Sequence, residues 1–209
     1  MILTLFFNHN KYKFHCKPQE DRDYRTDKPG EFTYHRVKLF LLHQFTYIGA
    51  PHIWNGDEMG MLGADDPDNR KPLIWPDIAF EPETQSDFST YQYTFTPVFD
   101  KDMYAYYKSL IRLRKSDKVF IYGEVEMYDL SVNNTILAYS RTTSDSKVWV
   151  IINNHPEYNE AYLPIKDGTV IFRYNTDIEV LEDVLIMAPF SGVVVGKKVD
   201  LITRGKEKW

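Results

Sequence analysis

Apolar residues recur along this chain with two different periods, and the change between them falls near residue 116. Residues 1–7, MILTLFF, form a short, mainly apolar run that predicts a strand. Residues 8–30 are polar and irregular, which predicts a long loop; loops of that length commonly serve a site or a neighbouring segment. Over residues 31–47 the spacing becomes helical: Val37, Phe40, Leu41, Gln44 and Phe45 form a stripe that Leu42 widens. Pro29 and Gly30 mark the entrance of this helix, and Gly49 suits the left-handed position that ends one. Residues 50–54 follow directly and predict a buried strand, so that helix, tight turn and strand form the joint of an α/β unit. Residues 55–96 are rich in Gly, Pro, Asp and Asn, with Trp54, Ile74, Trp75, Ile78 and Phe80 as anchors. They predict an ordered loop at a strand exit, a common place for a binding site. Thr96-Pro97 predicts the start of a second helix with Pro97 in its first position. That helix continues to Lys115 with Met103, Tyr106, Tyr107, Leu110 and Leu113 on its packed side, and Arg112, Arg114 and Lys115 suit its negative end.

Beyond Ser116 the runs shorten. Residues 119–122, 125–128, 135–141, 147–153, 160–163, 169–174, 183–187 and 192–196 read as strands, separated by Asn133-Asn134, Ser144-Asp145, Asp167-Gly168 and Pro189. Evenly spaced short strands with turn signals predict an antiparallel sandwich or barrel. The fold class is therefore α/β plus all-β, with an α/β segment over residues 1–116 and an all-β domain over residues 117–209. The lysine-rich C-terminal stretch is expected to fray. Two strands and two helices are too few to bury both faces of a parallel sheet. The first segment must pack on the β domain, assemble with another chain, or belong to a larger barrel.

Composition narrows the function classes. With 43% hydrophobic residues among 209, the chain can build a real core. A formal charge of −5 gives no electrostatic reason to expect nucleic acid or an anionic membrane as partner. The apolar start is too short for a signal core with its cleavage site or for a membrane span, and localisation is left open. Cys16, the single cysteine, permits neither an intrachain disulfide nor a thiolate metal cluster, and reads as an inert thiol. His9, His15, His35, His43, His52 and His155 have no close-set zinc spacing. Asp65, Asp66 and Asp68 lack the glycine and terminal glutamate of a calcium loop, so neither metal nor cofactor is expected.

The stretch FTYIGAPHIWNGDEMGMLGADDPDNRKPLIWPD, residues 45–77, is a long and specific pattern. It resembles the last barrel strand and following loop of the α-amylase superfamily, in the branch of neopullulanases, cyclomaltodextrinases and maltogenic amylases. The resemblance implies a C-terminal segment of a TIM-like (β/α)8 barrel: the loop after strand seven, helix seven, strand eight, a long loop and helix eight. An all-β domain C, an antiparallel β-sandwich, then follows. It also implies retaining α-glucosyl chemistry, with an aspartate nucleophile after strand four, a glutamate acid/base after strand five, and a stabilising aspartate after strand seven. Retention requires two carboxylates about 5 Å apart. The segments carrying the first two lie upstream of anything present here. Asn8-His9-Asn10 has a superficial likeness to the third motif, but its surroundings match the stretch downstream of that motif, and Asn10 bears no charge. No catalytic residue is therefore assigned within the chain.

The resemblance carries a sugar-binding role onto Asp66 and Arg70, the Asp and Arg of a DPxxR pattern that hydrogen-bonds glucose at a donor subsite. A carboxylate accepts from sugar hydroxyls and a guanidinium donates in a fixed fork; the alternative is an ion pair that only holds the loop. Trp54 and Trp75 are candidates for a cleft wall or for core. Asp57 and Glu58 read as loop-organising acids, because adjacent carboxylates diverge. The partner implied for the full-length context is an α-glucan or maltooligosaccharide, with a missing N-terminal barrel portion or a second copy as protein partners. Three readings stand: part of an α-glucan-acting hydrolase that is inactive alone, a non-catalytic carbohydrate-binding module, or a subunit that completes a split enzyme through its open sheet edge.

Overall fold

A computed structural model describes residues 1–8, 16–84, 87–130, 135–162, 168–176 and 184–198. These form two compact units, one of Met1–Lys38 with His52–Ser109 and one of Leu39–Pro51 with Leu110–Trp209. The boundary cuts two long helices, so each helix contributes residues to both units.

In the first unit, the apolar opening is a short helix, α1 (Ile2–Phe7), and not a strand. Five apolar residues and Thr4 fit either period; a helix closes its own hydrogen bonds, whereas a strand requires a neighbour. The side-chain amide of Asn8 donates to Thr4 O at 2.8 Å and closes the last turn. Of the long polar loop, residues 9–15 lie outside the described residues, His9, Asn10 and His15 among them. Residues 16–30 are turns and irregular chain, as expected. They are tied to a later loop by Thr90 N–H on Arg22 O at 2.7 Å, and the Arg25 guanidinium lies over the rings of Phe7 and Tyr91. Helix α2 (Glu31–Thr46) forms where the stripe predicts it. Val37, Leu41, Leu42 and Phe45 are buried, but Phe40 is exposed and Leu39 is buried in its place.

Helix α3 (Lys101–Ser116) starts four residues later than Pro97. Asp100 explains the difference: its Oδ1 accepts from the backbone N–H of Asp102 at 3.1 Å and of Met103 at 2.9 Å, a side-chain cap that Thr96 does not supply. Its packed side, Met103 through Leu113, is buried as the spacing requires. The predicted strand at residues 50–54 does not form. A barrel strand takes its hydrogen bonds from strands on either side, and among the described residues none pairs with this segment. His52, Ile53 and Trp54 are exposed, and the described residues show no barrel closure.

In the second unit, residues 119–122 make a helical turn, α4 (Val119–Tyr122), where a strand was expected, since four apolar residues do not distinguish the two. Asp117 Oδ1 accepts from Val119 N–H at 2.8 Å and favours the turn. The remaining runs are strands: β3 (Glu124–Tyr128), β4 (Ile136–Thr142), β5 (Ser146–Asn153), β6 (Asn159–Tyr162), β7 (Thr169–Tyr174), β8 (Val184–Met187) and β9 (Ser191–Lys198). The first unit also holds a two-residue antiparallel ribbon, β1 (Glu83–Thr84) with β2 (Thr94–Phe95), within the stretch expected to be loop. Leu163, Asp183, Lys206 and Lys208 lie outside the described residues, whereas Lys197 and Lys198 end β9.

The strands form a five-stranded antiparallel sheet in the order β3-β4-β5-β9-β7 and a two-stranded antiparallel sheet of β6 and β8. Ile136, Ala138, Trp149, Ile151, Val193 and Val195 share a core with Ala161 of β6 and Leu185 and Met187 of β8, which makes a β-sandwich. The central strands β5 and β9 are apolar on both faces, because their other side is covered too. Gly192 shows this cover: a Cβ built there falls 2.5 Å from Leu42 Cδ2 of α2.

Candidate functional site

The loop between α2 and α3 is built from its glycines upward. Gly56 and Gly60 have φ of +101° and +74°, a left-handed conformation that side chains resist. They bracket a single 3-10 turn, Asp57–Met59. Within it Glu58 Oε2 accepts from Gly56 N–H at 2.9 Å, and Asp57 Oδ1 accepts from Ile2 N–H at 2.8 Å. Burial pushes the Asp57 carboxyl up, while the Ile2 amide pulls it down. Each of these neighbouring acids thus faces its own backbone amide. Beneath the turn, Met59, Met61 and Ile74 make a small core with Leu73, Phe80 and Phe99. Ile74 and Phe80 anchor the loop as expected. Trp54, Trp75 and Ile78 do not, being 48%, 47% and 51% exposed.

The segment carrying Asp66 and Arg70 is a second tight turn. Asp65 N–H donates to Cys16 O at 2.9 Å, Asp68 N–H to Asp65 O at 3.0 Å, and Arg70 N–H to Pro67 O at 2.9 Å. Gly63 lies so close that a Cβ there meets Asp68 O at 2.8 Å. The Arg70 guanidinium is paired with the Asp66 carboxylate, and their side chains are 76% and 55% exposed. Lys17 Nζ reaches Asp66 O at 3.4 Å, a contact the sequence pattern gives no reason to expect. The structure therefore brings Asp66 and Arg70 together on an open surface. It leaves both tryptophans half open, with His52 as the ring beside Trp54 at 6.2 Å. No group of three or more His, Cys, Asp or Glu able to hold a metal ion occurs among the described residues.

Two arginines outside the loop fix its upstream end. Arg141 of β4 is fully buried and donates to Thr46 O at 2.8 Å, Phe120 O at 3.0 Å and Gly123 O at 3.1 and 2.9 Å. Arg114 donates to Phe45 O at 2.8 Å and Gly49 O at 2.5 Å. The carbonyls that end α2 are thereby satisfied by two cations at the helix's negative end. Burial first, and the neighbouring Arg114 charge second, pull the Arg141 guanidinium down from its usual range. Neither role is legible from spacing: Arg114 suits the end of its own helix in the sequence but serves another.

No family model matches the chain. Neopullulanase 2 of Thermoactinomyces vulgaris is 33% identical over 133 residues, which are 64% of this chain and 20% of that protein. A cyclomaltodextrinase of Geobacillus thermopakistaniensis is 34% identical over 130 residues, 62% of this chain and 19% of that protein. The chain thus spans about a fifth of the length of the curated relatives it matches. Among solved structures, a maltogenic amylase from S. marinus superposes with a TM-score of 0.53 at 23% identity, covering 78% of this chain and 19% of that one. A trehalulose synthase gives 0.58 at 18% identity, covering 78% and 38%. At these identities the structural matches speak for the fold.

Proposed function

We propose, on the premise that this chain belongs to the α-amylase superfamily in the branch of neopullulanases, cyclomaltodextrinases and maltogenic amylases, that it is the C-terminal part of a retaining hydrolase acting on α-glucans. In this reading residues 1–116 are the closing segment of the barrel and residues 117–209 are domain C. Asp66 and Arg70 supply part of a donor-side sugar site. The observation that carries the reading is the ion-paired, solvent-open Asp66–Arg70 turn within the stretch whose sequence resembles that branch. An open pair can trade its mutual contact for sugar hydroxyls at little cost, since exposed ion pairs contribute only about 0–1 kcal/mol.

Cleavage needs an attacking carboxylate and a proton donor facing each other. Asp57 and Glu58 are committed to backbone amides, so the chain by itself is expected to hold sugar weakly and to cleave nothing. The test assays the 209-residue chain against cyclodextrin, pullulan and maltooligosaccharides, and follows the amides of residues 65–70 during a maltotriose titration. Absence of turnover with shifts at the turn is the expected result. Turnover by this chain, or an unmoved turn, overturns the proposal. A subunit that completes a split barrel is a second reading, favoured by the unpaired segment at residues 50–54 with Ile53 and Trp54 exposed; stoichiometric co-purification with an N-terminal partner tests it.

A further inference from the structure

The first unit holds a cleft of about 490 Å³ beside the start of α3, within the size range of small-molecule sites. Neither Asp66 nor Arg70 lines it. Phe95 and Phe99 give it aromatic wall, and Tyr34 adds a ring with a polar tip. The Tyr34 hydroxyl is hydrogen-bonded to Asp100, whose carboxylate is itself fixed by the two amides it caps. Burial first, and the Asp100 charge second, push the Tyr34 phenol up to about 12, so it remains a neutral donor.

The charged lining has both signs: Lys28 and Lys101 are exposed, Asp100 caps α3, and the Asp102 carboxylate is paired with Lys38. A smaller recess of about 90 Å³ shares Phe95, Leu62, Ile74 and Pro97 with the cleft and reaches the Lys71–Glu83 ion pair, again of both signs. Such a lining gives no net attraction to phosphate or to a polycation. Aromatic faces interleaved with fixed acceptors and exposed ammonium donors instead suit a neutral ring with apolar faces and hydroxyl edges, which is the chemistry of a pyranose.

We propose that this cleft is a second carbohydrate site, separate from the Asp66–Arg70 turn, that binds a short α-linked glucose oligomer with Phe95 as its stacking platform. The choice of glucose among neutral sugars rests on the function proposed above; the site itself rests on the cleft.

The test is a titration of the ¹⁵N-labelled 209-residue chain with maltotriose, and separately with inorganic phosphate. Maltotriose is expected to shift the amides of Gly60, Thr96, Phe99 and Lys101, and to do so equally in Arg70→Ala. Phe95→Ala is expected to weaken that binding roughly fivefold. Thr96→Trp, at an exposed rim position, is expected to block it without touching the interior. Shifts confined to residues 65–70 overturn the second site and leave the proposed function standing. Cleft shifts with phosphate and none with maltotriose also overturn it, and cleft binding untouched by Thr96→Trp does the same. No shift anywhere removes both readings.

Discussion

Arg141 places a guanidinium where water does not reach, with four hydrogen bonds to three carbonyls as its compensation. Removing it strands those carbonyls in the interior, and each orphaned acceptor costs about 1–3 kcal/mol. Arg141→Met keeps much of the volume and is expected to lose about 3 kcal/mol of stability, read as a lower urea midpoint at unchanged slope. Arg114→Met, at a half-buried position, is expected to lose roughly 1 kcal/mol; equal losses would contradict the weight given to burial. Neither residue stands out in the sequence, because a lone arginine in a strand gives no sign of which helix end it will meet. Asp66 and Arg70 are legible for the opposite reason. Their spacing on a short turn is local, so the chain pattern already brings them together.

At the scale of elements, what could be read depended on length and on partners. Long periodic stretches such as α2 and α3, and runs bounded by turn residues such as β4, β5, β7 and β9, formed close to where the pattern put them. Residues 2–7 and 119–122 are too short to reveal their period and became helical turns. Residues 50–54 have the composition of a barrel strand, but a strand exists only with neighbours, and the described residues supply none. The packing of α2 on β9 was likewise invisible in sequence and is now testable. Gly192 faces Leu42, which is itself fully buried, so the leucine has little room to retreat. Gly192→Val is expected to destabilise by about 1–3 kcal/mol through overpacking. Leu42→Ala in the same chain should recover part of that loss, giving a favourable coupling in a double-mutant cycle. Strict additivity of the two losses would show that the helix does not rest on this glycine.

For the molecule as a whole, the tyrosines report how much of each unit stays closed. Of 15 in the sequence, burial is the first cause that pushes Tyr24, Tyr107 and Tyr139 above the usual phenol range, and Tyr34 and Tyr93 to about 12. Tyr139 also shares a hydrogen bond with Thr46 at 2.6 Å, which eases its ionisation without cancelling the burial. The sign follows from linkage: a phenol whose folded pKa is raised binds its proton more tightly in the fold than in the unfolded chain. Below about pH 10 both states are protonated and the stability is complete. As pH climbs past that value the unfolded chain ionises first, and stability falls until the folded-state pKa is passed. Absorbance at 295 nm and far-ultraviolet circular dichroism, followed together from pH 8 upward, are expected to show a first phase with ellipticity unchanged while these buried phenols keep their protons. A second, steeper phase should then coincide with loss of ellipticity above pH 11, a value set by the shifts to about 12. Tyr107→Phe removes one late phenol, so the second phase should shrink and move to higher pH. A single titration of all the tyrosines near pH 10, with the secondary structure intact throughout, would mean that these rings are open to water and that neither unit has the interior described for it.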